Sequence, residues 1–264
     1  MTEISTNTYT ADYILAKALD IGENILRCGG EPNRIEDTVT RICMAYGAEF
    51  ADIFALPSLI IANIRMKDGT HSSQVRRVYQ NSNNMYLLEK MNNLSRDICS
   101  KKVALEEVES EIEVAKKGRP FPNILCYIGG ILGAGGFAVF FGGNLYDALV
   151  AAVAGIVVTF FNLHKTAFVN QMIHSVASSF IGAVVSLALV YFGVGQNTDM
   201  ILIGVIMLLI PGLAFGNAVR DLLFGDTVSG IMQLVQAVLT AVMVAFGFTV
   251  AMMIFGGVFN WVWI

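Results

Sequence analysis

The stretch NILCYIGGILGAGGFAVFF, residues 123–141, decides the fold of this 264-residue chain. It carries no charged side chain, and its length matches the ~20 residues with which a helix crosses the ~30 Å hydrocarbon core of a bilayer. Four further predominantly apolar segments follow it, at residues 145–161, 173–194, 200–215 and 228–255. Residues 121–264 are therefore predicted to form a transmembrane helical bundle of about five helices. The alternative of a sixth, shorter membrane segment stays open.

Charge divides the chain at residue 120. The chain is 55% hydrophobic and 14% charged, its mean hydropathy is +0.62, and a typical soluble domain has about 25% charged residues. Yet residues 1–120 hold 15 of the 17 Lys and Arg and 17 of the 21 Asp and Glu. We therefore predict a soluble α+β domain over residues 1–120 and a transmembrane helical domain over residues 121–264.

Composition and motifs exclude several protein classes. The four cysteines form no close pair, which argues against a disulfide scaffold and against a zinc site. A net charge of −4 without a long basic run argues against nucleic-acid binding. The polar start of the chain does not resemble a secretory signal. No Walker-type loop is present to bind ATP, so we predict no metal and no cofactor.

Periodicity predicts the elements of the soluble domain. Apolar residues at helical spacing indicate a helix over residues 11–28, which Gly29-Gly30 would end. A second helix is expected to open at Pro32-Asn33, with Asn33 and Glu36 at capping-box spacing. The remaining predicted elements are a hairpin with strands 59–66 and 70–78, turned at Lys67-Asp68-Gly69, and helices over 84–100 and 102–117.

Two polar features of the soluble domain allow alternative interpretations. Arg34 and Glu36 are either a functional pair or a helix cap with a surface ion pair. His71 lies beside the predicted turn and is expected to be solvated rather than catalytic.

Basic residues predict the orientation in the membrane. Three of them directly precede the first segment: Lys116, Lys117 and Arg119. Because cytoplasmic loops are enriched in Lys and Arg, the N-terminus is expected in the cytoplasm of a multi-pass protein of the cytoplasmic membrane. With five crossings, the later basic residues Lys165 and Arg220 fall in the cytoplasmic loops 162–172 and 216–227. The outer side then carries Asp147, Asp199, Trp261 and Trp263.

The stretch IPGLAFGNAVRDLLFGDTVSGIMQLVQA, residues 210–237, is the most informative for function. Pro211-Gly212 falls inside an apolar segment, where proline removes a backbone donor and predicts a helix break. Broken membrane helices usually line a cavity, and many transporters build substrate sites from them. We therefore take Pro211 and Gly212 as candidate pathway residues.

Four polar residues follow this break: Asn217, Arg220, Asp221 and Asp226. An arginine can hold a carboxylate bidentately, and a carboxylate near the membrane can hold an ammonium group or carry a proton. These residues are candidates for substrate binding. The alternative is a charged cytoplasmic loop with only a topological role.

His164 and His174 lie between the second and third segments. Histidines titrate near neutral pH, so the pair could couple proton movement. The alternative places both as polar residues at the membrane interface. Gly129 and Gly133 in the first segment have the spacing of a helix-packing motif, although small residues are common in membrane helices.

In its motifs and layout the chain resembles the threonine/serine exporter family. The shared features are Gly29-Gly30, Arg34 and Glu36, Gly47 with the strand pair, and then Pro211-Gly212, Asn217, Arg220-Asp221, Gly225-Asp226 and Gly230. Some members carry a second block of membrane helices, whereas others are split into a longer subunit, which this chain resembles, and a small membrane-only subunit. The resemblance implies export of small polar metabolites, with threonine and serine or dicarboxylates such as succinate as cargo. It also implies contact with membrane lipid and with a small membrane-only partner or a second copy.

These observations predict a subunit of a gradient-driven exporter rather than an enzyme. Two rival functions stay open. One is a membrane-embedded enzyme that uses the two histidines and nearby carboxylates, although their spacing fits no zinc motif. The other is a sensor whose soluble domain binds a ligand while the helices anchor it.

Overall fold

The computed structural model describes residues 9–79, 84–118, 122–164 and 170–259. The chain separates into two compact units, one formed by residues 1–120 with 226–229 and the other by residues 121–225 with 230–264. Arg119, Lys165 and the two C-terminal tryptophans, which entered the topology prediction, lie outside the described residues.

Within its described residues the N-terminal unit combines four α-helices, one short 3-10 helix and a three-stranded antiparallel sheet. Its helices are α1 (Ala11–Arg27), α2 (Pro32–Ala45), α3 (Met85–Cys99), the 3-10 helix Leu105–Glu107 and α4 (Val108–Lys117). Its strands are β1 (Ala48–Leu56), β2 (Leu59–Met66) and β3 (His71–Arg77). The sheet has the order β1-β2-β3. The predicted α+β fold class is confirmed.

Helix α1 shows how the local sequence sets the limits of an element. The Thr10 hydroxyl accepts a hydrogen bond of 3.3 Å from the Tyr13 N–H and caps the first turn. The buried residues recur at helical spacing and include Ile14, Leu15, Ala18, Leu19 and Ile25. Gly29 takes a φ of +84°, a left-handed conformation that ends helices. The predicted helix over residues 11–28 is confirmed.

The predicted opening of the second helix at Pro32-Asn33 is confirmed, whereas the predicted capping box of Asn33 and Glu36 is not formed. Helix α2 begins at Pro32 with Glu31 as its N-cap residue, and no side chain caps it. Proline is preorganised for the first helical turn, so the helix starts without Asn33 as its cap. The Glu36 carboxylate instead accepts a hydrogen bond of 2.8 Å from the Ala55 N–H of β1. Glu36 therefore ties α2 to the edge of the sheet.

The sheet contains one strand that the sequence analysis missed. The predicted hairpin of β2 and β3 is confirmed, and Gly69 in its turn has a φ of +84°. The missed strand β1 pairs with β2 from Ala48↔Met66 to Leu56↔Leu59, with one register shift near its start. Helix α1 packs on β2 and β3 and also contacts α2, α3 and α4, so it lies at the centre of this unit's core.

The second unit is helical. Its helices are α5 (Asn123–Phe140), α6 (Leu145–Leu163), α7 (Gln171–Tyr191), α8 (Thr198–Met207), α9 (Gly212–Leu223) and α10 (Thr227–Phe259). Among the described residues, four helices are long and apolar enough to cross a membrane: α5, α6, α7 and α10. The bent pair α8 and α9 makes a fifth crossing if it is one span. This agrees with the predicted bundle of about five helices.

Glycines bring α5 and α6 into backbone contact. A Cβ atom placed on Gly155 would lie 2.6 Å from the Gly130 carbonyl oxygen, a distance that no real side chain adopts. A Cβ atom on Gly129 would meet nothing within 4 Å, and one on Gly133 would meet the Leu208 side chain at 2.8 Å. The close approach of these helices therefore depends on Gly130 rather than on the predicted motif of Gly129 and Gly133.

Candidate functional site

The predicted helix break at Pro211-Gly212 is present. Helix α8 ends at Met207, α9 begins at Gly212, and their axes differ by 59°. Since residue 211 is proline, the Met207 carbonyl loses the N–H donor that a continuous helix would supply. In a bilayer such a carbonyl needs a hydrogen-bond donor from the protein or from water. The break therefore places a polar backbone group within an otherwise apolar segment.

Directly after the break, α9 carries an ion pair. The Arg220 guanidinium donates to the Asp221 Oδ1 atom at 2.9 Å, and the Gln233 side chain of α10 donates to Asp221 Oδ2 at 2.7 Å. Asp221 is 1% exposed, whereas the Arg220 side chain is 35% exposed. The carboxylate therefore joins two helices from a buried position, while the arginine reaches the surface of the unit.

Arg220 and Asp221 lie within helix α9 rather than in an irregular loop, and the alternative of a purely topological role stays a prediction. Asn217 is half-buried one helical turn earlier, and a spacing of four residues places it on the same face as Asp221. Asp226 is half-buried in the turn between α9 and α10, where Gly225 has a φ of +91°. The structure thus brings Arg220 and Asp221 together, and it sets Asp226 beyond the end of α9.

His174 forms a polar cluster between α6 and α7. Its Nε2 atom lies 2.9 Å from Asn162 Oδ1 and 3.3 Å from Ser178 Oγ, and its ring stacks on Phe161. An amide oxygen only accepts hydrogen bonds, so Nε2 carries the proton in this arrangement. His174 is 7% exposed within α7. His174 therefore lies in a helix and not in the predicted loop.

His164 has a different environment. It follows the last residue of α6, and its Nδ1 atom lies 2.9 Å from the Phe160 carbonyl oxygen. Its ring packs against Phe160 with centroids 4.2 Å apart, and the residue is exposed. His164 thus lies just outside α6, where the predicted loop between the second and third segments begins.

Asp147 is a buried site residue that the sequence analysis treated only as an outer charge. Its side chain is fully buried in the first turn of α6. It accepts hydrogen bonds of 2.7–3.0 Å from the backbone N–H groups of Asn144, Gln196 and Asn197 and from the Asn197 side chain. Four donors thus hold one carboxylate and link the start of α6 to the segment before α8. The spacing Asn144-x-x-Asp147, typical of a capping box, was the signal that could have found it.

Helix α7 buries a series of serines that also escaped the sequence analysis. They are Ser175, Ser178, Ser179 and Ser186. Ser175, Ser179 and Ser186 donate to carbonyl groups of their own helix. Their short side chains therefore stay against α7 and allow a neighbouring helix to approach its backbone. Helix α10 uses this surface, because a Cβ atom on Gly247 would lie 2.6 Å from the Val176 carbonyl oxygen of α7.

In the N-terminal unit, Arg34 and Glu36 do not form the predicted pair. Glu36 faces β1, as described above, and burial raises the pKa of its carboxyl group although the Ala55 N–H opposes this rise. Arg34 is exposed, and among the described residues no ion pair joins the two side chains. Residues two apart on a helix point in different directions, which explains the separation. His71 is exposed at the start of β3, as predicted.

An α+β unit followed by a bundle with four potential spans and one broken helix pair defines a multi-pass membrane protein. A family model described as "Putative threonine/serine exporter" matches residues 17–255. The chain therefore belongs to the threonine/serine exporter family, a family of membrane transporters. Comparisons with curated proteins and with solved structures returned no match.

Proposed function

We propose that the chain is a subunit of a secondary exporter that is driven by an ion or proton gradient. Its cargo would be small polar metabolites, either threonine and serine or dicarboxylates such as succinate. Membership of the family supports export of the threonine and serine type. The observation that carries the mechanism is the break between α8 and α9, followed directly by the pair of Arg220 and Asp221.

In the proposed cycle a substrate carboxylate competes with Asp221 for Arg220. The guanidinium is the more exposed partner, so an incoming carboxylate meets Arg220 before it meets Asp221. A buried carboxylate that loses its cation must acquire another positive charge or a proton. Asp221 would then accept the substrate ammonium group or a coupling proton. Gly212 adds backbone freedom at the break, which would let α9 reorient.

Two further residues complete the proposed pathway. Asn217 lies one turn from the Arg220–Asp221 pair and would hydrogen-bond polar groups of the cargo. Asp226, at the turn that leads into α10, would offer a second carboxylate for an amine or a proton. Both residues are close in sequence to the proposed binding pair, since each lies within six residues of Arg220 and Asp221.

His174 is the proposed proton-coupling residue, with His164 as a second candidate. Its imidazole is the titratable group of a buried cluster that spans α6 and α7. Protonation would leave Asn162 Oδ1 bound but would place a positive charge on a buried ring. A conformation that exposes the ring would therefore be favoured when His174 is protonated.

His174→Asn should remove the dependence of efflux on the transmembrane pH difference, because asparagine does not titrate. Ser178→Ala keeps the imidazole and serves as the matched variant, so its efflux should still follow the pH difference. Efflux from preloaded cells, measured over a series of external pH values at equal protein amounts, checks the prediction. A pH profile of His174→Asn parallel to that of the unaltered chain would contradict the coupling role.

We further propose that the N-terminus is cytoplasmic and that the chain works with a small membrane-only partner or a second copy. Lys116 and Lys117, at the end of α4, support this orientation. A reporter fused at residue 10 should be active only on the cytoplasmic side. A periplasmic signal from this fusion would overturn the orientation.

Loss of efflux on deletion tests the proposed function itself. Cells that lack the chain and cells that express it, with and without a small membrane-only partner, are preloaded with labelled threonine, serine or succinate. Restoration of the chain should raise the efflux of at least one of these metabolites. Equal efflux from all strains for all three metabolites would reject the export function.

A second function, ligand sensing by the soluble unit, is favoured by one observation. A charged cleft opens between α2 and α3. No corresponding observation favours a membrane-embedded enzyme, and the described residues hold no group of three His, Cys, Asp or Glu side chains placed to bind a metal ion.

A further inference from the structure

The cleft between α2 and α3 has the size of a small-molecule site. Its volume is about 750 Å³, within the ~300–1,000 Å³ typical of ligand pockets. The charged and amide side chains that line it are Arg34, Asp37 and Arg41 of α2 and Glu89, Asn92 and Arg96 of α3. Leu88 and Met85 add an apolar part.

Positive charge in this cleft is only partly compensated. Arg41 donates to Asp37 at 2.8 Å and is neutralised by it. Arg96 donates to the neutral side chain of Asn93. Across the described parts of the chain, no carboxylate forms an ion pair with Arg34 or Arg96. Two guanidinium groups are therefore left to bind an anion, and their planar geometry matches a carboxylate.

Arg34 of α2 and Glu89 of α3 line the same cleft. A Cβ atom on Gly30, just before α2, would lie 3.1 Å from Leu88 of α3. At the other end, burial raises the pKa of the Cys99 thiol and the nearby Arg41 guanidinium opposes this rise. The helices therefore run in the same direction, and Arg34 and Glu89 each lie in the first half of their helix.

Arg34 and Glu89 thus offer opposite charges at one end of the cleft without closing on each other. No ion pair between them exists among the described residues. A carboxylate needs a cation and an ammonium group needs an anion, and an α-amino acid carries both groups on one carbon atom. The gap between these side chains has the charge pattern of a zwitterion site.

We propose that this cleft binds a small α-amino acid, with its carboxylate on Arg34 and its ammonium group against Glu89. Arg96 and Asn92 lie further along the same wall and would bind polar groups of the amino-acid side chain. The site lies in the soluble unit, so it would report the concentration of an amino acid to the exporter. The cleft site follows from the charges of its lining side chains. Only the choice of threonine and serine as first probes rests on the proposed export function.

Hydrogen–deuterium exchange locates the binding. The purified full-length chain in detergent micelles is mixed with L-alanine, L-serine, L-threonine, L-aspartate or L-glutamate. A further sample contains 3-hydroxybutyrate, which is threonine without its amino group. At least one amino acid should protect the peptides of α2 and α3, and 3-hydroxybutyrate should bind about tenfold or more weakly than threonine.

Three variants test the assigned contacts. Arg34→Ala should weaken the affinity read from these peptides about 10-fold to 100-fold. Glu89→Gln should weaken amino-acid binding and leave 3-hydroxybutyrate binding unchanged. Arg77→Ala is the matched control, because Arg77 is exposed on β3 outside the cleft and its loss changes the net charge equally.

The outcomes separate this proposal from the export function. Absence of protection in α2 and α3 with all five amino acids would overturn the cleft site, as would protection confined to the membrane helices. Neither result changes the outcome expected in the efflux assay. Conversely, protection in α2 and α3 that depends on Arg34, in a chain that exports none of the tested metabolites, would support the cleft site and reject the export function.

Discussion

Arg220→Ala should lower the efflux of threonine and serine by about tenfold or more. The substitution removes the proposed carboxylate-binding group and also the cation that lies 2.9 Å from Asp221. Asp221 would then be a buried charge held by Gln233 alone among its described partners. Removal of one partner from a buried ion pair costs about 3–5 kcal/mol, so efflux must be compared at equal amounts of protein in the membrane.

A double variant separates substrate binding from structural support. Arg220→Ala combined with Asp221→Asn removes both charges and keeps an amide that can pair with Gln233. The protein level should recover, because no unpaired buried charge is left. Efflux should stay low if Arg220 or Asp221 takes part in the export cycle as proposed. Normal efflux from this double variant would show that Arg220 only neutralises Asp221. Arg77→Ala, which removes an exposed arginine of β3, controls for net charge.

Asp147→Ala should destabilise the helical unit by about 3–5 kcal/mol. The carboxylate is fully buried and accepts four hydrogen bonds. Alanine would leave those donors without their acceptor, and each unsatisfied buried group costs about 1–3 kcal/mol. Equilibrium unfolding in detergent micelles, followed by helical circular dichroism, measures the change.

Asn144→Ala is the matched variant for this experiment. It removes the side chain that caps the same helix turn and leaves all four hydrogen bonds to the Asp147 carboxylate, because the bond from Asn144 comes from its backbone N–H group. Loss of an N-cap costs about 1 kcal/mol. Equal destabilisation by the two substitutions would mean that Asp147 acts only as a helix cap. A clearly larger loss for Asp147→Ala would identify it as the link between α6 and the segment before α8.

The fold was largely predictable where the signals were local. Helix α1 has its cap, its apolar spacing and its terminal glycine within one stretch, and the hairpin of β2 and β3 has an Asp-Gly turn. Strand β1 lacks such a signal because its largest apolar side chains lie on the exposed face of the sheet and small side chains lie on the buried face. Phe50 and Phe54 face outward and are about half exposed, whereas Ala51 and Ala55 face inward. Small inward residues hide the alternation that identifies a strand.

The candidate site was predictable only in part. Proline chemistry alone predicts the break at Pro211-Gly212. The contact of Arg220 with Asp221 is not predictable, because adjacent residues on a helix do not normally face each other. Gln233 becomes a partner of Asp221 only after the chain turns at Gly225. Asp147 shows the opposite case, since its capping-box spacing is local but its bonds to Gln196 and Asn197 depend on the tertiary fold.

Glycine contacts fix each half of the broken helix to a different neighbour. A Cβ atom on Gly204 of α8 would lie 2.5 Å from the Ala134 carbonyl oxygen of α5, and one on Gly230 of α10 would lie 3.0 Å from the Ala218 carbonyl oxygen of α9. Residues 208–211 therefore join two helices whose closest backbone contacts are made with different neighbours. In the proposed export cycle, a rotation at this joint would change the angle between α8 and α9 while both backbone contacts stay intact.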